Sequence, residues 1–279
     1  MLSEKLLLRR IKSAENISKV TKALERVATS KMKKAVDKAV KGAPYVSGIT
    51  EMVTKLVGKI DPKKITLLNR SKGTKTLILL ISSNKGLCGS LNSALFKKVL
   101  SFMEALGECD FLTLGKKGEN LLLKFKKNIK ADFSDISPAT NSVNPLGELI
   151  TDAFSQEEYK DVYIAFNRFV SALKYEPSIQ KILPMESIVG ASDNNKPLIE
   201  PSVNSLVRDL LAHYLETQIR NSIMSAEASE HSARMFAMKN ASDSANDLIS
   251  ILTLEKNIAR QQKITMELAD IVTAREAIQ

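Results

Sequence analysis

The sequence predicts an α/β fold flanked by a long antiparallel two-helix coiled coil, formed by its N- and C-terminal helices. Three observations carry that prediction. All 11 glycines lie between Gly42 and Gly190 and all 8 prolines between Pro44 and Pro201, so residues 1–41 and 202–279 hold neither. A helix-interior Gly or Pro costs about 1 or 3 kcal/mol, so flanks free of both read as long helices. Both flanks also carry apolar stripes at helical spacing, and the Gly- and Pro-rich centre alternates strand-like with helix-like segments.

The first stripe is Leu7, Ile11, Ala14, Ile17, Leu24, Ala28, Met32 and Ala35. The second is Leu211, Leu215, Ile219, Ile223, Ala226, Ala233, Ala237, Ala241, Ala245, Leu248 and Leu252. As one helix the C-terminal flank would be about 115 Å long, more than any domain of this chain could cover, so it needs a partner along its length. Its middle third is rich in alanine and serine, which let helix backbones approach closely. The stripe spacing lies between those of left- and right-handed supercoils and fixes neither hand.

The first helix is expected to run past Lys41, to kink at Gly42-Ala43-Pro44, to resume through Ile49, Met52, Val53, Leu56 and Ile60, and to stop at Asp61-Pro62. Thr76–Ser82 reads as a strand buried on both faces. Then follow a helix at Asn92–Leu106, a strand at Asp110–Leu114, a helix at Lys116–Phe125, a weak strand at Ile129–Phe133, a helix at Leu146–Phe154, a strand at Val162–Asn167 and an edge strand at Ser178–Leu183. Pro197 and Pro201 mark a loop, with Ser202 or Asn204 as cap of the last helix. The expected divisions are an N-terminal coiled-coil helix at 1–60, a central α/β domain at 74–195 and a C-terminal coiled-coil helix at 202–279.

Composition narrows the function. Apolar residues are 44% and charged residues 26%, enough to bury a core, while aromatics at 5% are thin for an all-β protein. Two cysteines exclude a disulfide-stapled scaffold, and no apolar run approaches the roughly 18 residues of a membrane span. The charged N-terminus does not read as a secretory signal, so a soluble protein of a reducing compartment is expected.

The centre offers one candidate for chemistry, the turn Ser82-Ser83-Asn84-Lys85-Gly86-Leu87-Cys88-Gly89-Ser90-Leu91-Asn92 between a strand and a helix. Phosphates often bind at such a turn. It matches neither the phosphate-loop nor the dinucleotide pattern, so a structural turn is the expectation, with no nucleotide and no cofactor. Cys88 could be activated by the helix dipole, but a cysteine nucleophile needs a base. His213 and His231 both lie on the last helix, about 27 Å apart along its axis. No metal-ligand spacing links the histidines and cysteines. An α/β enzyme using Cys88 stays the weaker alternative.

Net charge is +10, unevenly spread: residues 1–41 hold 12 Lys/Arg against 4 Asp/Glu, residues 202–279 hold 8 against 10. Lys5, Lys12, Lys19, Arg26 and Lys33 recur every seven residues, with Arg9 and Lys22 beside them, making a basic face about 40 Å long. A polyanionic or acidic partner fits it. A basic coiled-coil nucleic-acid-binding protein is the alternative. Against it, residues 1–41 contain no aromatic side chain for stacking.

Four segments carry a further signal: Ile17-Ser18-Lys19-Val20-Thr21-Lys22-Ala23-Leu24-Glu25-Arg26-Val27-Ala28-Thr29-Ser30-Lys31-Met32, Lys85-Gly86-Leu87-Cys88-Gly89-Ser90-Leu91-Asn92, Ser229-Glu230-His231-Ser232-Ala233-Arg234-Met235-Phe236-Ala237-Met238-Lys239-Asn240-Ala241 and Ala259-Arg260-Gln261-Gln262-Lys263-Ile264-Thr265-Met266-Glu267. All four resemble one family, the gamma subunit of F-type, proton-translocating ATP synthase, in its bacterial form. Together the motifs span the chain in order. Two departures stand out: Asn84-Lys85 where the family has Asp-Arg, and Ala274-Arg275 where it has a Gly-Ala step. The regulatory insert and transit peptide of the chloroplast form are not seen.

The resemblance implies a rotor with a central Rossmann-like domain. Its paired helices would turn inside a ring of alpha and beta subunits, with the α/β domain against the epsilon subunit and the c-ring. Membrane association is implied only through the complex, on the cytoplasmic face of the bacterial inner membrane. The chain itself would bind no nucleotide and catalyse nothing. Matched motifs give Arg260 and Gln261, and the turn at Lys22, Leu24 and Arg26, as contacts to beta; Glu200, in Leu198-Ile199-Glu200-Pro201, falls in the foot that meets the c-ring.

Overall fold

The computed structural model describes residues 4–57, 65–69, 71–185 and 203–276. Two helices dominate, α1 at Glu4–Val57 and, as the last element, one at Val203–Glu276. The chain divides into two compact units, one of Thr29–Ala233 and one of Met1–Ala28 with Arg234–Gln279.

The larger unit is built on β1 (Lys75–Ile81), α2 (Leu91–Glu104), β2 (Cys109–Leu114), α3 (Lys116–Lys124), β3 (Asn128–Asp132), α4 (Val143–Ser155), β4 (Tyr159–Ser171) and β5 (Lys174–Leu183). The last helix is therefore α5. The sheet order is β3-β2-β1-β4-β5. The first four strands are parallel, with Ile78 beside Phe111 on one side and Tyr163 on the other, and β5 runs antiparallel to β4. Leu77, Ile78, Leu79 and Leu80 are all fully buried, which is why β1 reads as an unbroken apolar run. Ile78 and Leu80 face Leu95, Val99 and Met103 of α2 and Leu122 of α3. Leu77, Leu79 and Ile81 face the other way, onto Leu146, Ile150 and Phe154 of α4 and Leu211, Leu215, Ile219 and Ile223 of α5.

The turns are fastened to one another. Ser82 Oγ accepts the Gly118 N–H at 2.7 Å and donates to the Gly115 carbonyl at 2.9 Å. Gly115 caps α3 at φ 120°, and a Cβ there would lie 2.1 Å from the Ser82 carbonyl oxygen, so only glycine fits. Within this unit α1 and α5 run antiparallel: the Tyr45 hydroxyl bonds His213 Nε2, and Lys38 faces Glu227. Val53 of α1 reaches the core beneath the sheet.

The smaller unit is a helix pair tied by Ser18 Oγ donating to Asn246 Oδ1 at 2.8 Å. On α1 the buried residues Leu7, Ala14, Thr21 and Ala28 recur every seven, with Ile11, Ser18 and Glu25 half-buried between them. On α5 Met238, Ser242, Ala245 and Leu252 are buried, and Ile249, Lys256 and Ala259 are half-buried at steps of three and four. That is a seven-residue repeat on both helices, the period of a left-handed supercoil.

Several expectations need correction. Ile17 and Leu248 lie outside the seam, 52% and 47% exposed, and Thr21 and Ser242 stand in it. Thr21 bends its hydroxyl back to the Ile17 carbonyl at 2.9 Å, leaving its methyl as the buried part. As expected, helix α1 runs past Lys41, and it continues through Pro44 to Val57. Asn204 is the second residue of α5 and not its cap. The strands expected at Val162–Asn167 and Ser178–Leu183 extend to a hairpin of Tyr159–Ser171 and Lys174–Leu183. Asp61-Pro62, Pro197, Pro201 and Ser202 lie outside the described residues.

Candidate functional site

In an open α/β sheet, ligands bind beyond the carboxyl ends of the strands where the strand order reverses. Here that crevice lies between β1 and β4, under the turn 82–90. The turn is held by its own side chains. Asn92 donates to Ser83 Oγ at 2.7 Å and accepts the Ser83 N–H at 3.3 Å, and Ser83 Oγ donates to the Lys85 carbonyl at 2.8 Å. Asn84 accepts the Lys116 N–H at 2.9 Å and donates to the Ser134 carbonyl at 3.2 Å. Leu87 and Gly89 take positive φ, 62° and 58°.

The crevice is closed by the chain itself. Asn167 Nδ2 of β4 reaches the Leu91 carbonyl at 3.4 Å, and Ala233 of α5 packs on Cys88 and Leu91, with Tyr175 of β5 against them. Cys88 is 3% exposed, and its sulfur lies 3.4 Å from Asn92 Nδ2 and 3.8 Å from Ser83 Oγ. A thiol sealed under a helix is a packing group, not an exposed nucleophile.

A second polar cluster sits at the opposite end of the strands. The Tyr159 hydroxyl donates to Asp110 Oδ2 at 3.0 Å, Asn128 donates to Asp110 Oδ1 at 2.8 Å, and Lys130 lies over the Tyr159 ring while pairing with Glu158. Burial, with the Asp110 carboxylate beside it, pushes the Tyr159 phenol far above its ordinary range, so it holds its proton. The cluster ties three strand ends together. The thiol of Cys109, just before Asp110 on β2, is pushed up by burial.

Of the residues singled out from the sequence, Lys22 and Arg26 are exposed on α1 with Leu24 half-buried beside them. Arg260 and Gln261 follow Ala259, the last half-buried seam residue of α5, and every residue from Arg260 to Arg275 is exposed. Apolar Ile264, Leu268 and Ile271 are among them. Glu200 lies outside the described residues. Lys5, Arg9, Lys12, Lys19, Lys22, Arg26 and Lys33 are all exposed, as the basic face requires. Sequence reasoning missed the serines that dock α5 on β4. Ser225 Oγ accepts the Phe169 N–H at 2.9 Å, Ser229 Oγ donates to the Asn167 carbonyl at 2.9 Å, and Ser232 Oγ donates to the Ala172 carbonyl. The signal was present as hydroxyls inside a helix stripe that is otherwise apolar.

These features define a class: an α/β domain with paired terminal helices, in which the crevice usually kept for a ligand is given to internal packing. Comparison with known proteins supplies the family. Residues 3–278 match the ATP synthase family. The ATP synthase gamma chain of Akkermansia muciniphila is 36% identical over 285 residues, 97% of each chain. That of Dehalococcoides mccartyi is 34% identical over 284 residues, the full length of both. The chain belongs to the ATP synthase gamma chain family. The fold is shared with the Euglena gracilis mitochondrial ATP synthase (TM-score 0.70, 17% identity, 99% of this chain and 94% of that one). It is shared too with the central stalk and c-ring assembly of the Tetrahymena thermophila enzyme (TM-score 0.61, 24% identity, 80% and 99%). Nothing among these supports the nucleic-acid-binding alternative. Among the described residues no helix is long and apolar enough to cross a membrane.

Proposed function

We propose that the chain is the central rotor shaft of an F-type ATP synthase, coupling proton flow through a membrane c-ring to ATP synthesis or hydrolysis on beta subunits. Segments 1–60 and 202–279 form the shaft and 74–195 the domain between them. The observation that carries the reading is α5 itself: its seam ends at Ala259, and Arg260 to Arg275 run on with every side chain exposed. A bare helix end of 16 residues with apolar side chains is unstable in water alone and calls for a partner.

Alpha, beta, epsilon and c subunits are the partners, a reading supported by fold neighbours that belong to assemblies with F1 and a c-ring. The chain sits on the cytoplasmic face of the bacterial inner membrane, held there by the complex. It performs no bond chemistry and binds no nucleotide, which the filled crevice between β1 and β4 supports. Arg260 and Gln261, with Lys22, Leu24 and Arg26, contact beta, and Glu200 belongs to the foot on the c-ring. Co-purification from the native membrane followed by mass spectrometry tests the assignment; recovery without alpha and beta subunits overturns it.

The contacts have their own test. A planar guanidinium and an amide define an angular position, whereas a broad basic face, screened within about 8–10 Å, only attracts. Arg260→Ala with Gln261→Ala should impair proton-driven ATP synthesis in reconstituted vesicles more than Lys5→Ala, Lys12→Ala or Lys19→Ala alone, normalised to assembled complex. A wild-type rate in the double variant, with a loss in any lysine variant, reverses the assignment.

A further inference from the structure

A shaft is useful only if twist entering at one end leaves at the other. Within the unit Thr29–Ala233, α5 meets the sheet in two ways. Leu211, Leu215, Ile219 and Ile223 lie on the sheet face through apolar packing. Such contact resists separation, but it is non-directional and tolerates sliding about the helix axis. One turn further on the chemistry changes. Ser225, Ser229 and Ser232 bond to the backbone of β4 and of the tight turn that follows it, at Phe169, Asn167 and Ala172. Hydrogen bonds weaken steeply when donor and acceptor swing out of line, so these contacts fix the rotational setting of the helix.

Four details make the set more than incidental packing. Ser225 accepts while Ser229 and Ser232 donate, Ser229 sharing its proton between the Asn167 carbonyl and the Ser225 carbonyl of its own helix, both at 2.9 Å. Two of the partners, at Asn167 and Phe169, are backbone groups of a strand held by β5, and the third, at Ala172, is a backbone group of the turn after it, so none can follow the helix by changing rotamer. Asn167 also ties its side chain to Leu91 at the start of α2, which spreads load from β4 to the next layer. Ser229 and Ser232 are 0% and 1% exposed, so water does not compete for their bonds.

We infer that Ser225, Ser229 and Ser232 are the torsional anchor of the rotor, positioning residues that make rotation of the α/β domain and rotation of α5 one motion. The inference rests on the rotor reading above. Without the anchor, helix and sheet stay associated through the aliphatic face, but the joint becomes soft.

The test is a stiffness measurement on the assembled complex. The catalytic ring is immobilised and stalled, and a bead is attached at Lys97→Cys on the exposed face of α2, with Cys109→Ser to remove the other accessible thiol. The variance of the bead's angle is inverse to torsional stiffness. Ser225→Ala with Ser229→Ala and Ser232→Ala should widen that variance about twofold or more, since three aligned bonds give way to apolar contact alone. ATP hydrolysis by the assembled complex should stay near wild type. Ser225→Ala alone should widen it less, and Ser225→Thr, which keeps the hydroxyl, should restore the wild-type value. Should the triple variant fail to assemble, the Ser225 pair carries the test. Unchanged variance in the triple variant, or equal variance for Ser225→Ala and Ser225→Thr, overturns the inference. A wild-type chain that turns no bead in the ring overturns the rotor reading instead.

Discussion

The two halves of α5 are one helix under two regimes of burial. From Val207 to Ile223 it buries a large aliphatic residue every fourth position, at Val207, Leu211, Leu215, Ile219 and Ile223, none more than 1% exposed. Steps of four drift round the helix by about 40° each, so this half presents a broad face to sheet and neighbouring helices together. From Met238 to Ala259 the steps alternate between three and four, and the buried residues shrink to Met238, Ser242, Ala245 and Leu252. A narrow seam against one partner leaves the rest of the circumference in water. The difference teaches where cohesion is stored: the embedded half stabilises the domain, and the seam half keeps a surface for others to grip.

The sharpest way to break that comparison is to remove the same side chain from each half. Leu215→Ala should cost about 4 kcal/mol, because a fully enclosed site cannot collapse on the void. Leu252→Ala, 6% exposed on a two-helix seam that can close up, should cost about 2 kcal/mol. Leu248→Lys, on the exposed side of the same seam half, should change stability by no more than about 0.5 kcal/mol. Urea melts of the chain measure all three. Equal costs for Leu215 and Leu252 would remove the distinction between the halves.

How much of this was legible in the sequence follows the same division. The embedded elements were readable because their signals are large: β1 is a continuous apolar run, and Leu211, Leu215, Ile219 and Ile223 recur without interruption. The seam was readable as a face but not in detail. Ile17 and Leu248 have the right chemistry and the wrong angle, whereas Thr21 and Ser242 have the right angle and carry hydroxyls. A stripe locates one side of a helix to within a residue or so, and the partner decides the remainder. The turn at Ser82–Asn92 was legible as a structural turn from its missing phosphate-loop pattern, but not the fate of Cys88, which depends on Ala233 arriving from 145 residues away. Arg260 and Gln261 could be named only through the family resemblance. No local signal separates them from other exposed polar residues.

The finest test of the comparison sits at the border of the two halves, at Glu227. Partial burial between α1 and α5 raises its carboxyl above the ordinary value; Glu230 adds to the rise and Lys38 opposes it. A raised folded-state value means that the folded protein binds the proton more tightly than the unfolded chain. Below the unfolded value, near 4.3, both states are protonated and Glu227 carries no charge penalty. As pH climbs from there through the folded value, the unfolded chain loses its proton first, so stability falls across that window and then levels off. Glu227→Gln removes the titration. The stability difference, variant minus wild type, should therefore be larger at pH 7 than at pH 4, and by a modest amount because the group stays partly solvated and screened. Melting temperatures at the two pH values decide it. A difference that is the same at both pH values, or that turns against Gln at pH 7, would mean that attraction to Lys38 balances or outweighs burial.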